Sequence, residues 1–106
     1  GASYRGGVKE TAFSGVFPTV QALKARGAQV VVHDPLYTDE ELRRLGLEPY
    51  ALGGEVDLAI LQTDHADYRE LGPANLPGVR LLVDGRNATD AALWAGTPRI
   101  IVGTAA

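Results

Sequence analysis

Leu81-Leu82-Val83-Asp84-Gly85-Arg86-Asn87 reads as a buried strand that ends abruptly in a charged turn bent at a glycine. A short continuous apolar run of this kind suits a strand covered on both faces, as in parallel sheets. The pattern repeats along the chain. Leu58-Ala59-Ile60-Leu61 runs into Gln62-Thr63-Asp64-His65, and Val30-Val31-Val32 runs into His33-Asp34-Pro35. A short first strand, about Ala2 to Arg5, closes on Gly6-Gly7, and Arg99 to Val102 supplies a last one. The predicted fold class is α/β: a three-layer, Rossmann-like open parallel sheet of about five strands, with helices on both faces. In such sheets ligands bind outside the carboxyl ends of the strands. The polar and glycine residues gathered there are therefore an expected binding rim.

The segments between the strands carry helix signals. Ser14 is an N-cap candidate for a helix with Val16, Val20 and Leu23 on one face and Gly27 as its stop. Pro18 lies inside that pattern, so the helix is expected to start near Phe17 or to have an irregular first turn. Thr38 followed by Asp39-Glu40-Glu41 places a cap and then acids at a helix start, where they suit the dipole, with Gly46 as the stop. Glu48-Pro49-Tyr50 reads as a short extended piece, Thr63 or Asp64 as the cap of a helical turn through Tyr68 and Leu71, and Thr89 to Trp94 as a short helix.

At 106 residues the chain makes one domain. A domain of this size buries roughly 65% of the surface that its unfolded chain exposes, enough for a core without staples. With no Cys, it has no disulfide framework, thiolate metal site or cysteine nucleophile. A net charge of −3, with basic residues scattered apart from Arg43-Arg44, argues against nucleic acid as a partner. No apolar run approaches a membrane span and no signal-peptide pattern opens the chain, so no membrane partner and a cytoplasmic location are expected. The absence of Met, and a strand starting within a few residues of Gly1, suggest a domain excised from a longer enzyme.

Most familiar chemistries lack their residues. A dinucleotide fingerprint needs Gly-x-Gly-x-x-Gly at the first turn, and no Gly-x-Gly occurs. Asp34 imitates the ribose-binding acid of such folds, against the simpler reading of an Asp-Pro turn that ends a strand. Asp64, His65 and Asp67 crowd one turn, a spacing that rarely converges on one ion; a helix cap with solvated neighbours is the expectation, and no metal site. Ser14 is not in a Gly-x-Ser-x-Gly elbow. A phosphoreceiver domain would need acids after the first strand and a lysine after the last, and Tyr4-Arg5 and Gly103-Thr104 supply neither.

Arg86 stands apart. Set between Gly85 and Asn87 on a tight turn, its guanidinium suits bidentate binding of phosphate or carboxylate. Arg5 can reach the same rim, with no acid adjacent in sequence to neutralise it. An anion site and a structural ion pair of Arg86 with Asp84 or Asp90 stand level on the residues alone.

Taken together, these motifs resemble the C-terminal, UDP-binding domain of the UDP-glucose/GDP-mannose dehydrogenase family, the nucleotide-sugar 6-dehydrogenases. The resemblance runs from about Ser3 to Gly103 and rests on four motifs in order: Tyr4-Arg5, the strand and Asp-Pro turn from Gly27 to Pro35, the segment from Asp57 to His65 with Tyr68 after it, and Asp84-Gly85-Arg86-Asn87. It implies a domain that closes over a UDP-sugar or related nucleotide-sugar, with Tyr4, Arg5 and Arg86 as the substrate-binding residues. It implies that the whole enzyme oxidises the sugar C6 hydroxyl to a carboxylate with NAD. The NAD would be held mainly by an N-terminal domain, the catalytic Cys would lie in a middle region, and the enzyme would be a homodimer or higher homo-oligomer. No catalytic residue is expected in these residues, and the domain alone is expected to be inactive.

The first loop departs from the family pattern. Many members carry Thr-x-Asp-x-Arg-x-Ser, the arginine reaching toward NAD; here Val8-Lys9-Glu10-Thr11-Ala12-Phe13-Ser14 puts Ala12 in the arginine's place. Lys9 is the remaining candidate for a cofactor contact. The alternative reading is a stand-alone Rossmann-like nucleotide- or anion-binding or regulatory module without catalysis.

Overall fold

The computed structural model describes residues 1–102, so Gly103-Thr104 and the far end of the family resemblance lie outside the described residues. Two α-helices come first, α1 (Val16–Ala25) and α2 (Asp39–Arg44). Three strands follow, β1 (Leu58–Leu61), β2 (Leu81–Asp84) and β3 (Arg99–Ile101). They form one parallel sheet in the order β1-β2-β3. Leu58 pairs with Leu81 and Leu61 with Asp84, while Leu82 pairs with Arg99 and Asp84 with Ile101. All three strands therefore point their carboxyl ends the same way, with Asp84 at the centre of that edge.

The helix boundaries follow the local chemistry. α1 has Gly15 as its cap residue without a side-chain cap; Ser14, the expected cap, accepts only the Val16 N–H, at 3.2 Å. Pro18 falls at the third helical position, where a missing N–H costs nothing because the first turn has no internal acceptor for it. Thr38 heads α2 in a full capping box, its hydroxyl accepting from Glu41 N–H while the Glu41 carboxylate accepts from Thr38 N–H. Gly27 and Gly46 follow the two helices in left-handed conformations, φ 87° and 80°, and stop them as expected.

The sheet is smaller than the five strands expected. The Ala2–Arg5 segment is not a strand, because the Ala2 and Ser3 N–H groups donate to the Asp34 carboxylate instead of a neighbouring chain. The Ala28–His33 run makes a single bridge, from Val32 to Pro49, through Val32 N–H to Glu48 O and Tyr50 N–H to Val32 O. Pro49 has no N–H, so the ladder cannot continue through it. Val31 stays 41% exposed rather than buried. Residues 91–96 form turns in place of the helix expected from Thr89 to Trp94. The turn after β1 is a 3₁₀ helix, Ala66–Glu70, with His65 in the cap position and no side-chain cap, so neither Thr63 nor Asp64 plays the expected role.

Two cores result, in place of one sheet covered on both faces. Ala2, Val16, Val20, Val32, Leu42 and Leu47 form the first, and Leu61, Tyr68 and Ala88 the second, with Leu71 packed against it. An apolar cavity of about 590 Å³ lies between them, lined among others by Val20, Val32, Ile60 and Tyr68. Trp94 is buried and donates its indole N–H to Leu71 O at 2.9 Å, which fixes the chain between β2 and β3.

Replacing Thr38 with Ala removes the side-chain half of the capping box and should lower stability by about 1 kcal/mol. Urea unfolding followed by circular dichroism measures this, and an unchanged midpoint would contradict the capping role.

Candidate functional site

Three loops meet at the carboxyl edge of the sheet. The turn after β2 is built on Asp84, which is fully buried. Its Oδ1 accepts from Arg86 N–H at 3.0 Å, and its Oδ2 accepts from Ala88 N–H, Thr89 N–H and the Thr89 hydroxyl at 3.0, 2.9 and 2.6 Å. Burial works against the charge, but these hydrogen bonds win and hold the carboxyl below its usual range. Gly85 donates to Leu61 O at 2.9 Å, and a Cβ there would press on that same oxygen. Asn87 takes the left-handed conformation, φ 51°, which asparagine tolerates better than most residues. The turn is thus wound around an interior carboxylate, and Arg86 is presented outward.

The loop before α1 approaches from the other side. Gly6 N–H donates to Asp64 Oδ1 at 2.7 Å, and a Cβ on Gly6 would collide with the Asp64 backbone. Arg86 Nη2 lies 3.5 Å from Asp64 Oδ2, with both side chains partly exposed. The Gly6 N–H, and less strongly the Arg86 charge, keep Asp64 below the ordinary carboxylate range. One aspartate therefore joins the residue next to Arg5 to the Arg86 guanidinium. Arg86 does make an ion pair, but with Asp64; Asp84 takes its backbone N–H instead.

Behind this edge stands a second buried carboxylate. Asp34 Oδ2 accepts from Ala2 N–H, Ser3 N–H and His65 Nε2 at 2.8, 3.0 and 2.8 Å, and Oδ1 accepts from Leu36 N–H at 2.9 Å. Burial resists its charge, yet the bonds from Ser3, Leu36, His65 and Ala2 hold its pKa at about 2. Protein donors occupy both oxygens, so the ribose role has no support and the Asp-Pro turn is the better description. His65 is 2% exposed and also accepts the Gly7 N–H on Nδ1 at 3.0 Å. Tyr68 donates to His33 O at 2.9 Å and packs edge-on against the His65 ring. Burial pushes the Tyr68 hydroxyl up and the His33 imidazole down from their ordinary values.

The expected site residues are placed as follows. Tyr4 is 53% exposed and Arg5 is exposed beside it. Among the described residues the Arg5 guanidinium has no hydrogen-bond or ion-pair partner. Lys9 is committed elsewhere, paired with Glu41 and lying 5.2 Å from the centre of the Tyr37 ring. Sequence reasoning overlooked Asp64 and His65 as organisers of the loop, treating them as a cap and a solvated neighbour. The available signal was their place directly after a strand, equivalent to Asp34 and Arg86. Phe13 also escaped notice, 93% exposed with φ 63° in the altered first loop.

An exposed edge with two arginines, one unpaired and one held loosely by an exposed aspartate, can take a phosphate or diphosphate. Compared with models of known protein families, residues 1–91 match the one described as UDP-glucose/GDP-mannose dehydrogenase family, UDP binding domain. No curated protein and no solved structure gives a significant match.

Because the folded pKa of Asp34, about 2, lies below its ordinary 3.8, ionisation favours the fold. That contribution, about 2 kcal/mol, is fully present above about pH 4 and is lost as pH falls through the folded value. Stability measured by urea unfolding across that range should fall steeply in the wild type and less steeply in Asp34→Asn; parallel curves would contradict the assignment.

Proposed function

The chain belongs to the UDP-glucose/GDP-mannose dehydrogenase family as its UDP binding domain, and from that premise we propose that its rim binds the nucleotide of a UDP-sugar. The observation that carries the reading is that Asp64 at the carboxyl edge of the sheet holds both the Gly6 N–H, next to the exposed Arg5, and the Arg86 guanidinium. Arg86 and Arg5 take the diphosphate, Arg86 exchanging its 3.5 Å contact with Asp64 for charge-assisted bonds to phosphate. Tyr4, exposed next to Arg5, lies alongside the nucleotide.

In the whole enzyme this domain closes over the nucleotide-sugar while NAD, held mainly by an N-terminal domain, oxidises the C6 hydroxyl to a carboxylate. Binding energy from the nucleotide handle then positions C6 at a reacting centre supplied by the rest of the enzyme. The reading extends to a cytoplasmic, homo-oligomeric enzyme in which this domain supplies no catalytic group. Lys9 would contribute to NAD only by giving up its pairing with Glu41.

Calorimetric titration with UDP tests the binding. Arg86→Ala should weaken it by about 1.5–3 kcal/mol, the range for a charge-assisted bond, and in the full-length enzyme should raise KM for the nucleotide-sugar in NAD-reduction assays. Wild-type affinity and kinetics in that variant would remove Arg86 from the site. Binding of UDP by the protein, with no NAD reduction by the full-length enzyme on any of a panel of nucleotide-sugars, would favour the binding-module alternative.

A further inference from the structure

Resting on the UDP reading, we infer that His65 is a positioning residue for the Tyr4-Arg5 segment, acting through Gly7. The two contacts of its buried ring define its protonation. Gly7 N–H can only donate, so Nδ1, 3.0 Å away, presents a lone pair. The single ring proton therefore sits on Nε2 and is donated to Asp34 Oδ2 at 2.8 Å. Tyr68, 5.5 Å from the ring centre at an interplanar angle of 76°, packs the imidazole in that orientation.

The same Asp34 oxygen accepts the Ala2 and Ser3 N–H groups. The backbone from Ser3 to Gly7 is thus closed into a ring, pinned at one end by Asp34 and at the other by His65, with those two side chains bonded to each other. Gly6 N–H on Asp64 adds a third anchor at 2.7 Å. Between these anchors lie only Tyr4 and Arg5, both exposed, their backbone tied within the loop by Tyr4 N–H to Glu10 O at 2.6 Å and Val8 N–H to Arg5 O at 3.4 Å. Bidentate phosphate binding depends on where the guanidinium stands, so an anchor that stops this backbone from wandering sets affinity without touching ligand.

Two near-isosteric variants separate the contacts. His65→Asn places an amide oxygen where Nδ1 stands and can accept the Gly7 N–H, but falls short of Asp34. His65→Gln places an amide nitrogen where Nε2 stands and keeps the Asp34 bond, but leaves the Gly7 N–H unpaired. UDP titrations and thermal unfolding are compared for both variants and the wild type. The expected result is affinity within about twofold of wild type for His65→Asn and a loss of about three- to tenfold for His65→Gln, although His65→Gln is the more heat-stable of the two. Affinity that follows stability, equal losses, or no loss in His65→Gln would each overturn the inference. If the wild type binds no UDP, the functional reading fails on its own. The anchor is then read from Gly7 amide exchange, expected slow in wild type and His65→Asn and fast in His65→Gln; equal rates in all three would overturn it. The ¹⁵N resonance of His65 Nδ1 in the wild type needs no variant: an unprotonated nitrogen is expected, and a protonated one would overturn the assignment.

Discussion

Asp34 is 3% exposed, and its Oδ2 accepts three hydrogen bonds, from two backbone N–H groups near the start of the chain and from a histidine in the turn after β1. A buried charge of this kind is tolerable only when its donors stay in place. The carboxylate therefore compels the first loop, the end of the Val30–Val32 run and the turn after β1 to remain together. Ala2 contributes to the first core through the same anchoring, packed among Val16, Val20 and Val32.

Asp84 repeats the device at the centre of the sheet, ordering the Gly85–Thr89 turn around its own oxygens. The two buried carboxylates spend their charge on protein N–H and O–H groups, so neither repels an incoming anion as a free acid would. The exposed acid at the edge is Asp64, and it holds Arg86 at a separation that a phosphate can improve on.

Much of this was legible in the residues. The apolar runs at Leu58–Leu61, from Arg80 to Asp84 and from Arg99 to Val102 became the strands, the last two one residue shorter, and the Thr38 box and the stops at Gly27 and Gly46 stand where the local rules put them. Those signals are short-range, so a sequence carries them openly. The two lost strands depended on pairing partners: Ala2 and Ser3 donate to a side chain that lies 32 and 31 residues away, and Val32 meets a proline. Periodicity reports neither. Arg86 was visible as an arginine on a tight turn, but its partner Asp64 was not, because Asp84 and Asp90 were nearer in sequence and only the fold brings Asp64 across. His65 passed for a solvated residue since nothing in its neighbours foretells a bond to Asp34. The family match, by contrast, agrees with motifs read directly from the chain.

The central claim is that UDP binds at the carboxyl edge between the first loop and the Asp84–Asn87 turn. Its most direct test is a map of backbone amide shifts as UDP is added to the ¹⁵N-labelled protein. The account predicts that Gly6, Gly7, Gly85 and Arg86 move together and saturably, while Gly46 and Gly78, in turns remote from that edge in the chain's topology, stay still. Saturable shifts centred on the apolar cavity residues, such as Val20 and Ile60, with the rim glycines unmoved, would contradict it.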